Sequence, residues 1–311
     1  MTENQEKTVP KRTKKFIKRG ISVILMIGVL VAAMLEVLTL TEYRPPERER
    51  VAINNFGWEA AKPGDSLKVL SWQIGFAAGG GKTADEESVR SNLSGIARET
   101  AQLDPDVVFL QEVDRDATRS HRIDEMIELV NVFIDDHELD FTSAFAYNRS
   151  VLFVPYPIPP TGLVRSGLLT LTRKQMESAE RIQLPNADKW PARLVGFKHC
   201  LLVERLPVQN SDRKLVLINL QTDAGSSSQG KSEQEKAILG FLQEEADKGN
   251  YVIAAGEFDQ TFSDADGSLL KYYPEGGCVL SSNIEVRSCE RKKTGSEYAG
   301  HEPVLLECVL R

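Results

Sequence analysis

Four side chains that could bind a divalent metal lie in or next to apolar, strand-like runs of this 311-residue sequence. They are Glu112, Glu257, Asp259 and His301. Carboxylate oxygens suit Mg²⁺ or Mn²⁺, and an imidazole nitrogen could complete such a ligand set or act as a base. A glutamate at the end of a buried strand is as often a salt-bridge or capping partner, so residue type alone leaves the role of Glu112 open.

Three further polar residues, Tyr147, Asn148 and Arg149, follow another predicted strand and could contact a phosphate group. A glycine-rich stretch at 77–81 superficially suggests a phosphate-binding loop, but it lacks the GxxxxGK[ST] spacing that such loops have. We therefore interpret 77–81 as a mobile loop.

The first half of the large domain alternates strands and helices. Apolar runs at 67–76 and 107–113 predict strands. The helical periodicity of 84–103 and 122–134 predicts two amphipathic helices. The run at 107–113 is continuously apolar, which is typical of a strand that is covered on both faces.

Further along the chain, several apolar runs follow one another with only turns between them, which indicates antiparallel pairing. A helix is expected at 232–247, where Ser232 and Glu235 form a capping box. The last strands are expected in the runs YVIAAGEF, VLSSNIEV and PVLLECVL. Together these patterns predict an α/β domain in which two packed sheets are flanked by helices.

The N-terminal segment predicts a membrane anchor. Residues 1–20 carry seven basic and two acidic side chains, and the apolar run that follows is long enough to cross a bilayer. The basic cluster predicts a cytoplasmic N-terminus and a domain outside the cytoplasm. A signal peptide cleaved near Val31-Ala32-Ala33 and a buried helix of a soluble domain are the alternatives.

The expected organisation has four parts. These are a basic cytoplasmic tail at 1–20, a transmembrane anchor at 21–41, a polar stalk at 42–65 and the large domain at 66–311. The whole chain carries a net charge of −7 although its tail is basic, so the domain is acidic. An acidic domain repels phosphate backbones, so indiscriminate nucleic-acid binding is not expected.

The four cysteines show no zinc-site spacing. Cys200 and Cys308 lie in apolar runs and are expected to be small buried side chains. Cys278 and Cys289 could meet across a hairpin as a disulfide, and the sequence leaves that pairing open.

Five strings occur in order along the large domain: SWQIG (71–75), LQEVDRDATRS (110–120), INLQTDA (218–224), AAGEFDQT (254–261) and YAGHEPVLLE (298–307). Together they resemble the signatures of the endonuclease/exonuclease/phosphatase family, the DNase I-like, magnesium-dependent phosphoesterases. The resemblance covers about 67–311 and is strongest to membrane-anchored bacterial members. It implies a four-layer α/β/β/α sandwich.

The resemblance implies that Glu112 is the metal-binding glutamate and that Gln73 stands where the family has a second, asparagine ligand. It also implies that His301 is the histidine that readies a water for attack. Gly300 replaces the aspartate that orients this histidine, and Gly276 replaces a further aspartate.

Three more catalytic positions depart from the family pattern. Gln221 replaces a histidine, Glu257 an aspartate and Asp259 an asparagine. Gln221 cannot be protonated, and Asp259 turns a hydrogen-bond donor into an anion that would face a phosphate. Losing one general acid or base costs about 10²–10⁴ in rate.

The sequence therefore supports two hypotheses. In the first, the protein is a degenerate phosphoesterase homologue whose cleft binds a phosphorylated ligand or a protein partner. In the second, it is an active phosphodiesterase or nuclease that uses Mg²⁺ or Mn²⁺ with rearranged ligands. The substrate class stays open, because proteins of one fold act on unrelated substrates.

Overall fold

The computed structural model describes residues 11–81, 83–222, 228–257 and 269–311. The chain divides into two compact units, Met1–Glu42 and Tyr43–Arg311. The first unit contains helix α1, Lys11–Leu40. Its segment Lys18–Leu40 has a mean hydropathy of 2.7 and is long enough to span a membrane, although a signal sequence meets the same criteria. Few side chains of this segment are buried, which disfavours the core helix of a soluble domain.

The second unit contains fourteen strands and four of the helices among its described residues. The helices are α2 Glu86–Leu103, α3 Glu125–His137, α4 Ser228–Asp247 and α5 Ser296–Ala299. The strands are β1 Arg48–Arg50, β2 Ile53–Asn54, β3 Ser66–Gln73, β4 Val107–Asp114, β5 Thr142–Val154, β6 Gly162–Thr172, β7 Ser178–Gln183, β8 Cys200–Pro207, β9 Lys214–Gln221, β10 Tyr251–Glu257, β11 Leu270–Tyr273, β12 Cys278–Ser281, β13 Ile284–Arg291 and β14 Val304–Leu310.

These strands form two seven-stranded sheets. Sheet A has the order β1-β7-β8-β9-β10-β12-β11, and sheet B has the order β13-β14-β3-β4-β6-β5-β2. A central apolar core lies between the sheets, a second core joins sheet B to α2 and α3, and a third joins sheet A to α4. The four-layer α/β/β/α sandwich is therefore confirmed.

Asp residues begin both helices of the first outer layer. The Asp85 and Asp124 side chains accept hydrogen bonds from the backbone N–H of Ser88 and Ile127, which satisfies one free donor at each helix start. Helix α3 runs to His137, three residues past the predicted end, because the chain turns only at Glu138 in a left-handed conformation.

The expectation of a free stalk at 42–65 is wrong. Strand β1 pairs with β7, and β2 pairs with β5 at the edge of sheet B. Ala61 is fully buried, and its backbone N–H donates to Pro207 O at 3.0 Å. Because edge strands have unpaired backbone groups, even polar segments such as 48–50 can be recruited to a sheet.

Two other predicted elements have different boundaries. Helix α4 begins at Ser228 rather than near 232. The run VLSSNIEV is not one strand, because β12 and β13 belong to different sheets and the chain turns between Ser281 and Ile284. Apolar residues continue on both sides of this turn, so periodicity alone does not reveal the break.

Glu204 is a buried carboxyl in the central layer. It is fully buried in β8, and neither of its carboxylate oxygens has a hydrogen-bond partner among the described residues. Burial raises the pKa of this carboxyl well above its usual value. Glu204 therefore binds a proton more tightly in the folded protein than in the unfolded chain.

This proton linkage predicts a pH-dependent stability. Above the pKa of the unfolded chain the folded protein holds the extra proton, so the free energy of unfolding falls as pH rises toward the folded-state pKa. Glu204→Gln has no titratable group at this position, so we expect it to remove this pH dependence. The free energy of unfolding of the variant minus that of wild type should increase from about pH 5 to about pH 8. Glu244→Gln, on the exposed face of α4, is the control for thermal melts across this range. A pH-independent difference would contradict the assignment.

Candidate functional site

The site is formed where parallel strands end. The last residue of β3, Gln73, is the register partner of Gln111 in parallel β4. In sheet A the last residue of β9, Gln221, is the partner of Glu257, which ends parallel β10. The carboxyl ends of these strand pairs bring four of the polar candidates to one edge of the sandwich.

Glu112 adopts a left-handed backbone with φ of 58° at a register shift between Leu110 and Val113. Its Oε1 accepts a hydrogen bond from Gln221 Nε2 at 3.0 Å, which joins the two sheets. A non-glycine residue in this conformation costs of order 1–3 kcal/mol and is typical of functional sites. The bulge turns the Glu112 side chain toward Gln221.

Asn148 extends this pair of side chains. Its Nδ2 donates to Gln221 Oε1 at 3.2 Å, and its own Oδ1 is buried with no partner among the described residues. Asn148 falls at another register shift, between Tyr147 and Arg149 in β5. The structure therefore joins Glu112, Gln221 and Asn148 in one chain of hydrogen bonds.

Arg149 lies close to these three hydrogen-bonded side chains. Its Nε and Nη2 donate to Val195 O at 3.0 and 2.8 Å, and its guanidinium carbon lies 4.9 Å from the centre of the Phe197 ring. Burial and then the neighbouring Arg119 charge lower the pKa of Arg149, while Glu112 raises it. No carboxylate in the described segments forms an ion pair with Arg149, so its charge is available to an anion.

Tyr147 does not join this group of side chains. Its ring packs edge-on against Phe145 with 4.9 Å between the ring centres. Phe145 in turn packs on the core that contains α2 and α3. Of the three predicted phosphate-contacting residues, Asn148 and Arg149 are therefore near Glu112, and the Tyr147 ring packs toward the outer layer.

A pocket of about 140 Å³ contains the other candidates. Gln73, Glu257 and His301 line it, together with Arg291. Trp72 Nε1 donates to the His301 carbonyl at 2.8 Å and fixes the backbone of this residue. With Gln111 and Glu302, which also line it, the pocket brings together one histidine, one guanidinium, two amides and two carboxylates.

Two buried amide side chains next to the site form a hydrogen bond between the sheets. Gln111 Nε2 donates to Asn219 Oδ1 at 2.8 Å, and Asn219 Nδ2 donates to the carbonyls of Leu110 and Leu169. Gln111 belongs to sheet B and Asn219 to sheet A. Buried amides with satisfied hydrogen bonds fix the relative position of the two sheets at this edge.

The turn after β4 contains a buried ion pair. Arg119 Nε and Nη2 donate to the two carboxylate oxygens of Asp114 at 2.9 and 2.8 Å, and the Asp114 side chain is fully buried. Asp114 N donates to Glu125 Oε2 at 2.7 Å. Burial and then the Asp114 charge raise the pKa of Glu125 well above its usual value.

Gly300 precedes His301 and has a φ of +76°. A Cβ at this position would lie 2.4 Å from Gly80 Cα, in the glycine-rich loop. Within the described residues the His301 ring has no hydrogen-bond or ion-pair partner. This backbone has no room for a carboxylate directly before His301.

The described donors do not fit a preformed magnesium or manganese site. The Glu112 oxygen that faces Gln221 already accepts a hydrogen bond. Across the ranges the structure describes, no group of three or more His, Cys, Asp or Glu side chains is arranged to hold a metal ion. Asp259 lies outside the described residues.

Solved structures share this architecture. An endonuclease/exonuclease/phosphatase from Beutenbergia cavernae DSM 12333 matches with a TM-score of 0.61 at 16% identity, over 79% of this chain and 72% of that chain. One from Bacteroides vulgatus gives a TM-score of 0.55 at 12% identity, over 79% and 100% of the two chains. The chain has the endonuclease/exonuclease/phosphatase fold. The human Nocturnin catalytic domain also matches, with a TM-score of 0.53 at 18% identity over 86% and 100% of the two chains.

No protein-family model and no curated protein matches the sequence. The likeness to endonuclease/exonuclease/phosphatase structures is therefore a likeness of fold, and the five sequence strings remain the basis for the roles assigned to individual residues.

Sequence reasoning missed three residues of this edge. Asn219 lies inside the INLQTDA string and Arg119 inside the LQEVDRDATRS string, so each could have been noticed as a polar residue in an otherwise assigned motif. Arg291 ends β13, and no local signal relates it to His301.

Proposed function

We propose that this protein is a degenerate homologue of the phosphoesterases of its fold, with weak or lost hydrolysis and a retained cleft for a phosphorylated ligand. The packing of Gly300 against Gly80 carries the proposal. The family's aspartate–histidine pair needs a side chain at this position, and the backbone excludes one. Without a carboxylate partner, the His301 ring is not held in the orientation that a general base needs.

The same edge of the sandwich keeps groups that bind anions. Arg149 and Arg291 form no ion pair with any carboxylate of the described segments, and Arg149 is half-buried beside Asn148. Guanidinium groups bind phosphate oxygens through charge-assisted hydrogen bonds. The human Nocturnin catalytic domain, which shares the fold, was solved with a sulfate anion bound. A phosphate monoester or diester is the ligand class that these features favour.

The test compares hydrolysis and binding in the full chain solubilised in detergent. We expect wild type to hydrolyse an aryl phosphodiester with Mg²⁺ or Mn²⁺ no faster than Glu112→Gln does. We also expect the protein to bind inorganic pyrophosphate in calorimetry. Arg149→Gln should weaken that binding by about 10–100-fold, because it removes a charge-assisted hydrogen bond.

Arg173→Gln is the matched control for Arg149→Gln. Arg173 forms an ion pair with Asp104, next to the first residues of β4 and thus at the opposite end of that strand from Glu112. A hydrolytic rate that depends on Glu112 would support the alternative, an active metal-dependent phosphodiesterase with rearranged ligands. Equal pyrophosphate binding by wild type and Arg149→Gln would remove the assigned anion site.

We also propose that α1 anchors the chain in the cell membrane, with residues 1–20 in the cytoplasm and the domain outside. The length and hydropathy of Lys18–Leu40 support this, and so do the basic residues before it. Protease added to intact cells is expected to digest the domain and spare the tail. A domain that is protected from the protease would show the opposite orientation. Secretion of a chain that lacks α1 would show that α1 is part of a cleaved signal peptide.

A further inference from the structure

Two free thiols, those of Cys278 and Cys289, face each other between the sheets. Cys278 begins β12 of sheet A, and Cys289 lies in β13 of sheet B. Their Sγ atoms are 3.5 Å apart. A disulfide has an S–S length of about 2.05 Å, so small side-chain rotations would bring these sulfurs into bonding range.

The pair lies directly behind the wall of the 140 Å³ pocket. Gly276 and Gly277 line this pocket, and Cys278 follows them in the chain. A Cβ added to Gly276 would lie 2.1 Å from Cys289 Sγ, so the sulfur packs against the glycine backbone. The Cys278 thiol also donates to Gly276 O at 3.3 Å. Both sulfurs therefore support the glycine turn that forms the pocket wall.

The two thiols differ in reactivity. Cys278 is buried, whereas Cys289 is half-buried. Cys289 donates its thiol hydrogen to Cys278 Sγ, and this contact together with burial raises the pKa of the Cys278 thiol. Cys289, the less buried of the two thiols, is therefore the one that attacks a disulfide oxidant first, and Cys278 lies in position to attack the mixed disulfide that forms.

We propose that Cys278 and Cys289 form a redox-active pair whose disulfide ties sheet A to sheet B beside the pocket. The oxidant is a small or protein disulfide. The Cys289 thiolate attacks one of its sulfurs and releases the first thiol. Cys278 then loses its proton to solvent and attacks the Cys289 sulfur, which forms the intramolecular bond and releases the second thiol. Two cysteine thiols are oxidised, and one disulfide of the oxidant is reduced to two thiols.

The test uses the full chain in detergent, equilibrated with oxidised or reduced glutathione, quenched with acid and alkylated before peptide mass analysis. The oxidised sample is expected to lose two alkylatable thiols and to yield one cross-linked peptide that contains Cys278 and Cys289. Cys278→Ser should instead accumulate Cys289 as a mixed disulfide with glutathione. Cys200→Ser, at a buried cysteine of β8, should cross-link as wild type does.

Four alkylatable thiols after treatment with oxidised glutathione would overturn the proposal. A cross-link that uses Cys308 would also overturn it. A melting measurement provides a second readout. A disulfide between Cys278 and Cys289 closes a short loop of the chain. It should raise the melting temperature of the oxidised protein by about 5–10 °C over that of the reduced protein.

The melting comparison is repeated with Cys289→Ser, for which oxidation should leave the melting temperature unchanged. Oxidised wild type that melts at or below the reduced protein would show that the bond distorts the fold, which contradicts a bond that ties the native sheets together. None of these readouts depends on ligand binding or hydrolysis, so their failure is distinguishable from failure of the proposed function.

Discussion

Replacing Arg119 by methionine is expected to lower the free energy of unfolding by about 3–5 kcal/mol, the typical cost of leaving one member of a buried ion pair uncompensated. The Asp114 side chain is fully buried, and Arg119 satisfies both of its oxygens. Methionine keeps the apolar contact with the Phe76 ring, whose centre lies 3.1 Å from the guanidinium carbon. The loss therefore reports the missing charge rather than missing packing.

Arg122→Met is the matched control. Arg122 also pairs with an aspartate, Asp116, but both side chains are about half exposed. Exposed pairs contribute roughly 0–1 kcal/mol because water screens them. Urea denaturation of the full chain in detergent compares the two variants with wild type. Equal shifts of the two midpoints would contradict the assignment of the Asp114–Arg119 pair as a buried ion pair.

Restoring the missing aspartate with Gly300→Asp is expected to destabilise the domain by roughly 2–5 kcal/mol rather than to create a working base. The left-handed backbone penalises any side chain by about 1–2 kcal/mol, and overpacking against Gly80 adds about 1–3 kcal/mol. The new Cβ would lie 2.4 Å from Gly80 Cα, and a backbone atom cannot move aside as a side chain can.

Gly240→Ala is the matched glycine control. It lies in α4, and no atom lies within 4 Å of an added Cβ. Alanine should stabilise this helix by about 0.5–1 kcal/mol, because glycine loses more backbone entropy on folding. A Gly300→Asp variant as stable as wild type would mean that the loop at 79–81 moves aside. Gain of Mg²⁺-dependent hydrolysis in that variant would contradict the exclusion of a carboxylate directly before His301.

The sequence by itself determined the local elements and the fold class of this protein. Apolar periodicity located α2 and the strands that end at Gln73 and Gln221, because helix and strand periods are properties of short segments. Aspartate caps and the continuous apolar run of β4 are equally local signals. The family resemblance that the five strings carry implied the four-layer architecture.

Only the tertiary structure decided which distant residues meet. The polar residues 48–50 became a strand because β7 had an open edge 130 or so residues away in the chain, which no local pattern records. The hydrogen bond between Glu112 and Gln221 and the approach of Cys278 to Cys289 both join one sheet to the other. The sequence shows that a glycine rather than an aspartate precedes His301. It does not show that Gly300 packs against Gly80 so closely that a side chain is excluded. Such contacts depend on how two sheets and their loops pack, and packing is a property of the folded chain rather than of any segment.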